Sequence, residues 1–121
     1  MNVEVDLYSG RRNPRFHLEP TAAAELMRRL AALPPSSGST MPRQGLGYRG
    51  LRIDVGAPEP GIAEVVVSDG VVILRDRGGM ERVLEDPQRE LERWIVEAGV
   101  ANLDPDEIAV LRQDLASGRS P

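Results

Sequence analysis

The segment Ile62-Ala-Glu-Val-Val-Val-Ser-Asp-Gly-Val-Val-Ile-Leu-Arg75 decides the fold. Two β-branched apolar runs flank Asp69-Gly70. Asp-Gly between such runs is the strongest short-range signal for a hairpin closed by a two-residue turn. A turn of that length fixes the register, so that Val67 faces Val72, Val65 faces Leu74 and Glu64 faces Arg75. One face then carries Ala63, Val65, Val67, Val72 and Leu74. The other carries Val66, Val71 and Ile73 beside the Glu64–Arg75 pair. A sheet apolar on both faces needs a cover or a partner on each.

Outward from this hairpin the same alternation recurs. Tyr48 to Val55 places Leu51, Ile53 and Val55 on one side, and Met80 to Glu85 has the length of a short edge strand. Near the start, Val3, Val5 and Leu7 alternate with Glu4, Asp6 and Tyr8. Phe16 and Leu18 then alternate with Arg15 and His17, so Ser9 to Pro14 forms the loop of a second hairpin. Pro20-Thr21 opens a helix with Ala23, Leu26, Leu30 and Leu33 at helical spacing, and Pro34-Pro35 stops it. Asp86-Pro87 opens another, with Leu91, Trp94, Ile95 and Ala98 as its buried stripe and Gly99 as its stop. Asp104-Pro105-Asp106-Glu107 has the capping-box pattern of a last helix lined by Ile108, Leu111 and Leu115. The expected architecture is α+β. It has a mostly antiparallel sheet of five to six strands with two to three helices packed on one face. Residues 1–121 form one domain, with 34–47 a flexible internal loop and 117–121 a frayed end.

Composition narrows the function classes. The chain has 121 residues and no Cys, which excludes disulfides, thiolate catalysis and Cys-ligated metals. A single His leaves no imidazole cluster for a metal. All 15 basic residues are Arg, against 19 acids, for a net charge of −4. That balance argues against non-specific nucleic-acid binding, which needs a basic face. No apolar run reaches the roughly 18 residues of a membrane helix, and the charged first twenty residues hold no signal core, so a cytoplasmic protein is expected. Charge is uneven, however. Residues 1–60 carry eight Arg against six acids, and residues 61–121 carry seven against thirteen.

The basic excess is concentrated in loops. Arg11, Arg12 and Arg15 lie within five residues, beside Ser9 and Asn13. The guanidinium fork suits carboxylate or phosphate, and backbone N–H groups near Gly10 add to such a site. Gly45-Leu-Gly-Tyr-Arg-Gly50 presents Tyr48 and Arg49 between glycines, without the Lys-Ser/Thr of a P-loop. If the two segments adjoin, Ser9, Arg11, Arg12, Asn13, Arg15, Tyr48 and Arg49 form one rim. The rim would bind an acidic group of a protein, a peptide or a small anion, with no cofactor.

Asp6-Leu-Tyr-Ser-Gly-Arg-Arg-Asn-Pro14, Gly47-Tyr-Arg-Gly50 and the helix around Leu91-Glu-Arg-Trp94 together resemble a pattern in small uncharacterised bacterial proteins. The resemblance covers most of the chain in the same order and implies that the two loops belong together. It implies no activity. Arg12 departs from the pattern, which has Pro there.

Two other chemistries are weighed. Glu4 and Asp6 share a strand face about 6.5–7 Å apart, which overlaps the carboxylate spacing of inverting glycosidases. With His17 and Arg15 on the next strand, Asp6, His17 and Arg15 make a candidate proton-transfer set for a small enzyme. Outward alternation on a half-exposed hairpin places polar residues there without any chemistry. Asp104, Asp106 and Glu107 are the densest acid cluster, but helix capping explains each of them and no metal is expected. Glu90, Glu92, Glu97, Asp106 and Glu107 are expected on solvated helix faces. The apolar second face of the Asp69-Gly70 hairpin leaves a structural homodimer or accessory role as the remaining alternative.

Overall fold

The computed structural model describes residues 1–8, 12–36, 48–56 and 61–116. Six strands form one antiparallel sheet: β1 (Asn2–Asp6), β2 (Arg15–His17), β3 (Gly50–Asp54), β4 (Ile62–Ser68), β5 (Val71–Asp76) and β6 (Glu81–Glu85). Their order is β2-β1-β3-β4-β5-β6, so only the β1–β3 pairing is non-sequential. Three α-helices, α1 (Pro20–Ala32), α2 (Glu90–Gly99) and α3 (Pro105–Ala116), complete the α+β architecture. Among the described residues no helix is long and apolar enough to cross a membrane.

The central hairpin has the register set by its turn. Val67 pairs with Val72, Val65 with Leu74 and Glu64 with Arg75. Asp69 and Gly70 both take positive φ, 50° and 88°, as a turn twisted to match its strands requires. A bulge at Ala63 shifts the pairing beyond Glu64, so that Ile62 faces Asp76.

One sheet face is the core. Val3, Val5, Phe16, Leu51, Ile53, Val65, Val67, Val72, Leu74 and Leu84 are buried there with Leu26 and Leu30 of α1, Leu91, Ile95 and Val96 of α2, and Leu111 and Leu115 of α3. Helix α1 has Pro20 in its first turn. Glu19, not Thr21, precedes it as the cap residue, without a side-chain bond. The helix ends at Leu33, whose extended ψ of 142° is what a following Pro demands.

Three expectations are corrected. The stripe of α2 is rotated. Leu91, Glu92, Ile95, Val96 and Gly99 are buried, while Trp94 is half-buried and Ala98 exposed. Helix α2 also starts later than Asp86-Pro87 suggests, because a 3₁₀ turn, Pro87–Arg89, comes first. The expected loop 34–47 begins with sheet pairing. Glu85 N–H donates to Pro34 O at 2.8 Å, Ser36 N–H donates to Val83 O at 2.9 Å, and Pro35 bridges Leu84. Residues 37–47 of that loop, and 117–121, lie outside the described residues.

Candidate functional site

Among the described residues the second sheet face carries no helix, and its cross-strand pairs make two ladders. In one, His17 faces Asn2, Asn2 faces Asp54, Asp54 faces Glu64, Glu64 faces Arg75 and Arg75 faces Glu81. In the other, Arg15 faces Glu4 and Glu4 faces Arg52, and the row continues as Val66, Ile73 and Val83. A shallow concavity of about 640 Å³ lies over the β2-β1-β3-β4 half, lined by Glu4, Arg15, His17, Arg52, Asp54 and Glu64 among others.

In the strand register Arg15 and Arg52 therefore bracket Glu4, although the Arg52 guanidinium turns to Glu64. Arg15 and Arg52 sit two strands apart, about 10 Å between backbones, with Glu4 midway. Arg15 Nη2 is 3.7 Å from Glu4 Oε1, and Arg52 Nε is 3.7 Å from Glu64 Oε2. These are ion pairs beyond hydrogen-bond distance, and both arginines are exposed. Glu4 is also held by Asn13, whose Nδ2 donates to Glu4 Oε2 at 2.8 Å.

The arginine rim expected from the sequence is only partly assembled. Ser9 and Arg11 lie outside the described residues. Segments 6–8 and 48–50 do adjoin, because β1 pairs with β3 and Arg49 N–H donates to Asp6 O at 2.8 Å. Arg49 is committed inward. Its Nη2 donates to Asp6 Oδ1 at 2.7 Å and to Tyr8 O at 3.0 Å, and its Nε donates to Asp6 Oδ1 at 3.1 Å. The hydrogen bond to Asp6 pushes the Arg49 guanidinium further toward its charged form. Asn13 is a loop brace: its Oδ1 accepts from Leu7 N–H at 3.0 Å and Tyr8 N–H at 2.7 Å. Arg12 and Arg15 are exposed.

Tyr48 is a clear correction. It is 4% exposed and lies in the core, where its hydroxyl donates to Glu92 Oε2. Glycine at position 50 suits that entry into β3. Its φ is 131°, and a Cβ there would stand 2.7 Å from Val67 O. The proton-transfer set is not brought together. His17 is exposed and faces Asn2, with Nδ1 3.0 Å from Asn2 Oδ1. Asp6 lies four residues further along β1, about 13 Å away by strand rise, and its carboxylate is held by Arg49.

Sequence reading missed a buried polar network behind Tyr48. Glu92 is 0% exposed and Arg89 is 5% exposed. Arg89 Nε and Nη2 each donate to Glu92 at 2.9 Å, a bidentate pair. Its Nη2 also donates to Asp114 Oδ2 at 2.9 Å and its Nη1 to Asp114 O at 3.1 Å, while Asp69 N–H donates to Glu92 Oε1 at 3.1 Å. Gln88 and Arg89 both take left-handed φ, 58° and 55°, at the entry to α2. Burial opposes the charge on Arg89, but Glu92 and Asp114 outweigh it and hold the guanidinium protonated. Burial first, and then the charge of Glu92, push the Tyr48 phenol well above its usual range. Asp86 is buried too and accepts N–H bonds from Leu91 and Glu92 at 2.8 and 3.0 Å. Burial raises its carboxyl despite those bonds.

Glu107 is likewise buried, accepting from Tyr8 Oη at 2.9 Å and from Asp104 N–H at 3.0 Å. The second of these bonds is one half of the capping box expected from the sequence, the bond from the cap residue's N–H to the Glu side chain. Among the described residues no group of three or more His, Asp or Glu side chains is arranged to hold a metal ion. The network joins β3, the β4–β5 turn, α2 and α3, so it ties the core together, whereas the Arg15–Glu4–Arg52 row faces solvent. No family model matches the chain, and neither does any curated protein or solved structure.

Proposed function

We propose that the protein is a non-enzymatic binding module that captures an acidic group of a protein, a peptide or a small anion on the β2-β1-β3 half of the second sheet face. The observation that carries this reading is the Arg15–Glu4–Arg52 row. It offers two exposed guanidiniums about 10 Å apart, each no closer than 3.7 Å to its intramolecular acid. Their donors remain available for a charge-assisted bond to an incoming carboxylate or phosphate. Arg12, shortly before β2, is exposed and forms no ion pair among the described residues. Relative to the rim expected from the sequence, the outward arginine lies three residues further along, in β3. Arg49 is committed to Asp6 and Tyr48 to Glu92, and Arg52 takes the outward position. Binding, and not catalysis, is favoured because His17 and Asp6 stand apart and the concavity is shallow.

The test is an amide chemical-shift titration with inorganic pyrophosphate and with an acidic hexapeptide. Shifts should concentrate at Glu4, Arg15, His17 and Arg52, and should vanish in Arg15→Gln/Arg52→Gln. Shifts that are absent, or that persist unchanged in the double variant, overturn the reading.

A further inference from the structure

The carboxylate between the two guanidiniums is the least expected part of this face. A surface built for a bare anion has no reason to place Glu4 midway between Arg15 and Arg52. Nor has it a reason to brace that carboxylate with a 2.8 Å bond from Asn13. Asp54 and Glu64 line the same concavity and add to the negative potential. A dianion seated on both arginines would lie over the Glu4 carboxylate, and like-charge repulsion would oppose it. A ligand with an ammonium group between two carboxylates meets the row as minus, plus, minus against plus, minus, plus. Such a ligand answers each of the three charges of the row.

We propose that Glu4 is the specificity-determining residue of this face, selecting an amino-dicarboxylate group over a bare dicarboxylate. The inference rests on the reading of Arg15 and Arg52 as the anion-binding pair. The selected group has two sources, a free amino-dicarboxylate or an acid–lysine–acid stretch of a peptide.

Calorimetric titration with matched probes tests it. Glutarate and 3-aminoglutarate differ only by a central ammonium. The peptides acetyl-Asp-Lys-Asp-amide and acetyl-Asp-norleucine-Asp-amide differ only by the central charge. The wild-type chain should prefer 3-aminoglutarate over glutarate by about tenfold, the scale of one screened charge pair. Glu4→Gln keeps an acceptor for Asn13 and should shrink that preference to within about twofold, chiefly by gaining glutarate. A purely structural role for Glu4 would weaken both probes alike. A preference confined to the small molecules assigns a free ligand, and one shared by the peptides assigns a peptide segment; either supports the proposal. Equal binding of both glutarates to wild type, lost in Arg15→Gln/Arg52→Gln, overturns the role of Glu4 and leaves the arginine pair standing. No binding of any probe to wild type or Glu4→Gln overturns both.

Discussion

Glu92 has no apolar atom at its end, yet it is as buried as any leucine in the chain. Its two oxygens accept from Arg89, Tyr48 and the Asp69 backbone, so burial leaves no lone charge. Removing one partner of such a set costs more than the set itself contributes, because the remaining groups stay buried and unpaired. Glu92→Ala should therefore lower stability by about 3–5 kcal/mol, measured by urea denaturation. A loss below about 1 kcal/mol would show that the cluster relaxes or hydrates. Tyr48 gives a pH signature at the same place. Its phenol titrates higher folded than unfolded, so its share of stability is complete below the unfolded value near pH 10. It is lost as pH rises beyond that. Between pH 10 and 11 wild type should lose about 1 kcal/mol more than Tyr48→Phe. Parallel stability curves for the two proteins would refute the coupling.

Helix α2 shows how an element's phase is set by packing. Its apolar residues alone predict a stripe through Trp94 and Ala98, but the stripe actually runs through Glu92, Val96 and Gly99. Two neighbours force this rotation. Arg89 draws Glu92 inward, and Phe16 of β2 lies against Gly99, where an added Cβ would stand 2.3 Å from the ring. Gly99→Ala gains up to about 1 kcal/mol of helix propensity but overpacks the core by about 1–3 kcal/mol. A net loss is expected in thermal unfolding. Phe16→Leu in that background should recover part of it, and failure to recover would place the clash elsewhere. The first hairpin depends on a single side chain. Asn13→Ala frees the Leu7 and Tyr8 amides, and their hydrogen exchange should accelerate at least tenfold, the scale of one lost bond of about 1.4 kcal/mol. Unchanged protection would mean that strand pairing alone holds them.

Across the whole molecule, both sheet margins are blunted. Edge strand β2 is three residues long with outward Arg and His, and β6 is paired by a segment containing Pro34 and Pro35. Strand addition at an edge therefore has little room, and the exposed polar surface is the β2-β1-β3 half of the second face, since Ile73 of β5 is buried. Residues from all three helices and all six strands join one hydrophobic cluster. Such a core predicts one cooperative transition. Far-ultraviolet dichroism and the fluorescence of Trp94, which is half-buried beneath the Arg29 guanidinium 4.7 Å from its ring, should change at the same urea concentration. Separate midpoints would show that part of the structure, α3 first of all, unfolds on its own.

Much of this was legible from residue order because it depends on local rules. Asp69-Gly70 sets the hairpin register through backbone handedness, alternation sorts Val3, Val5, Leu51 and Ile53 to one side, and Asp104 with Glu107 writes its own cap. Arg52 was legible as an outward residue of a strand, but its place beside Arg15 was not. Their adjacency comes through Glu4, by a β1–β3 pairing across more than forty residues that no local signal encodes. The inward turn of Tyr48 and Glu92 was hidden for the same reason. A carboxylate enters a core only where a distant guanidinium and hydroxyl meet it, and that meeting exists only once the sheet and helices have closed. Periodicity determined the elements and their buried sides, whereas long-range pairing decided which charges face one another and which face solvent.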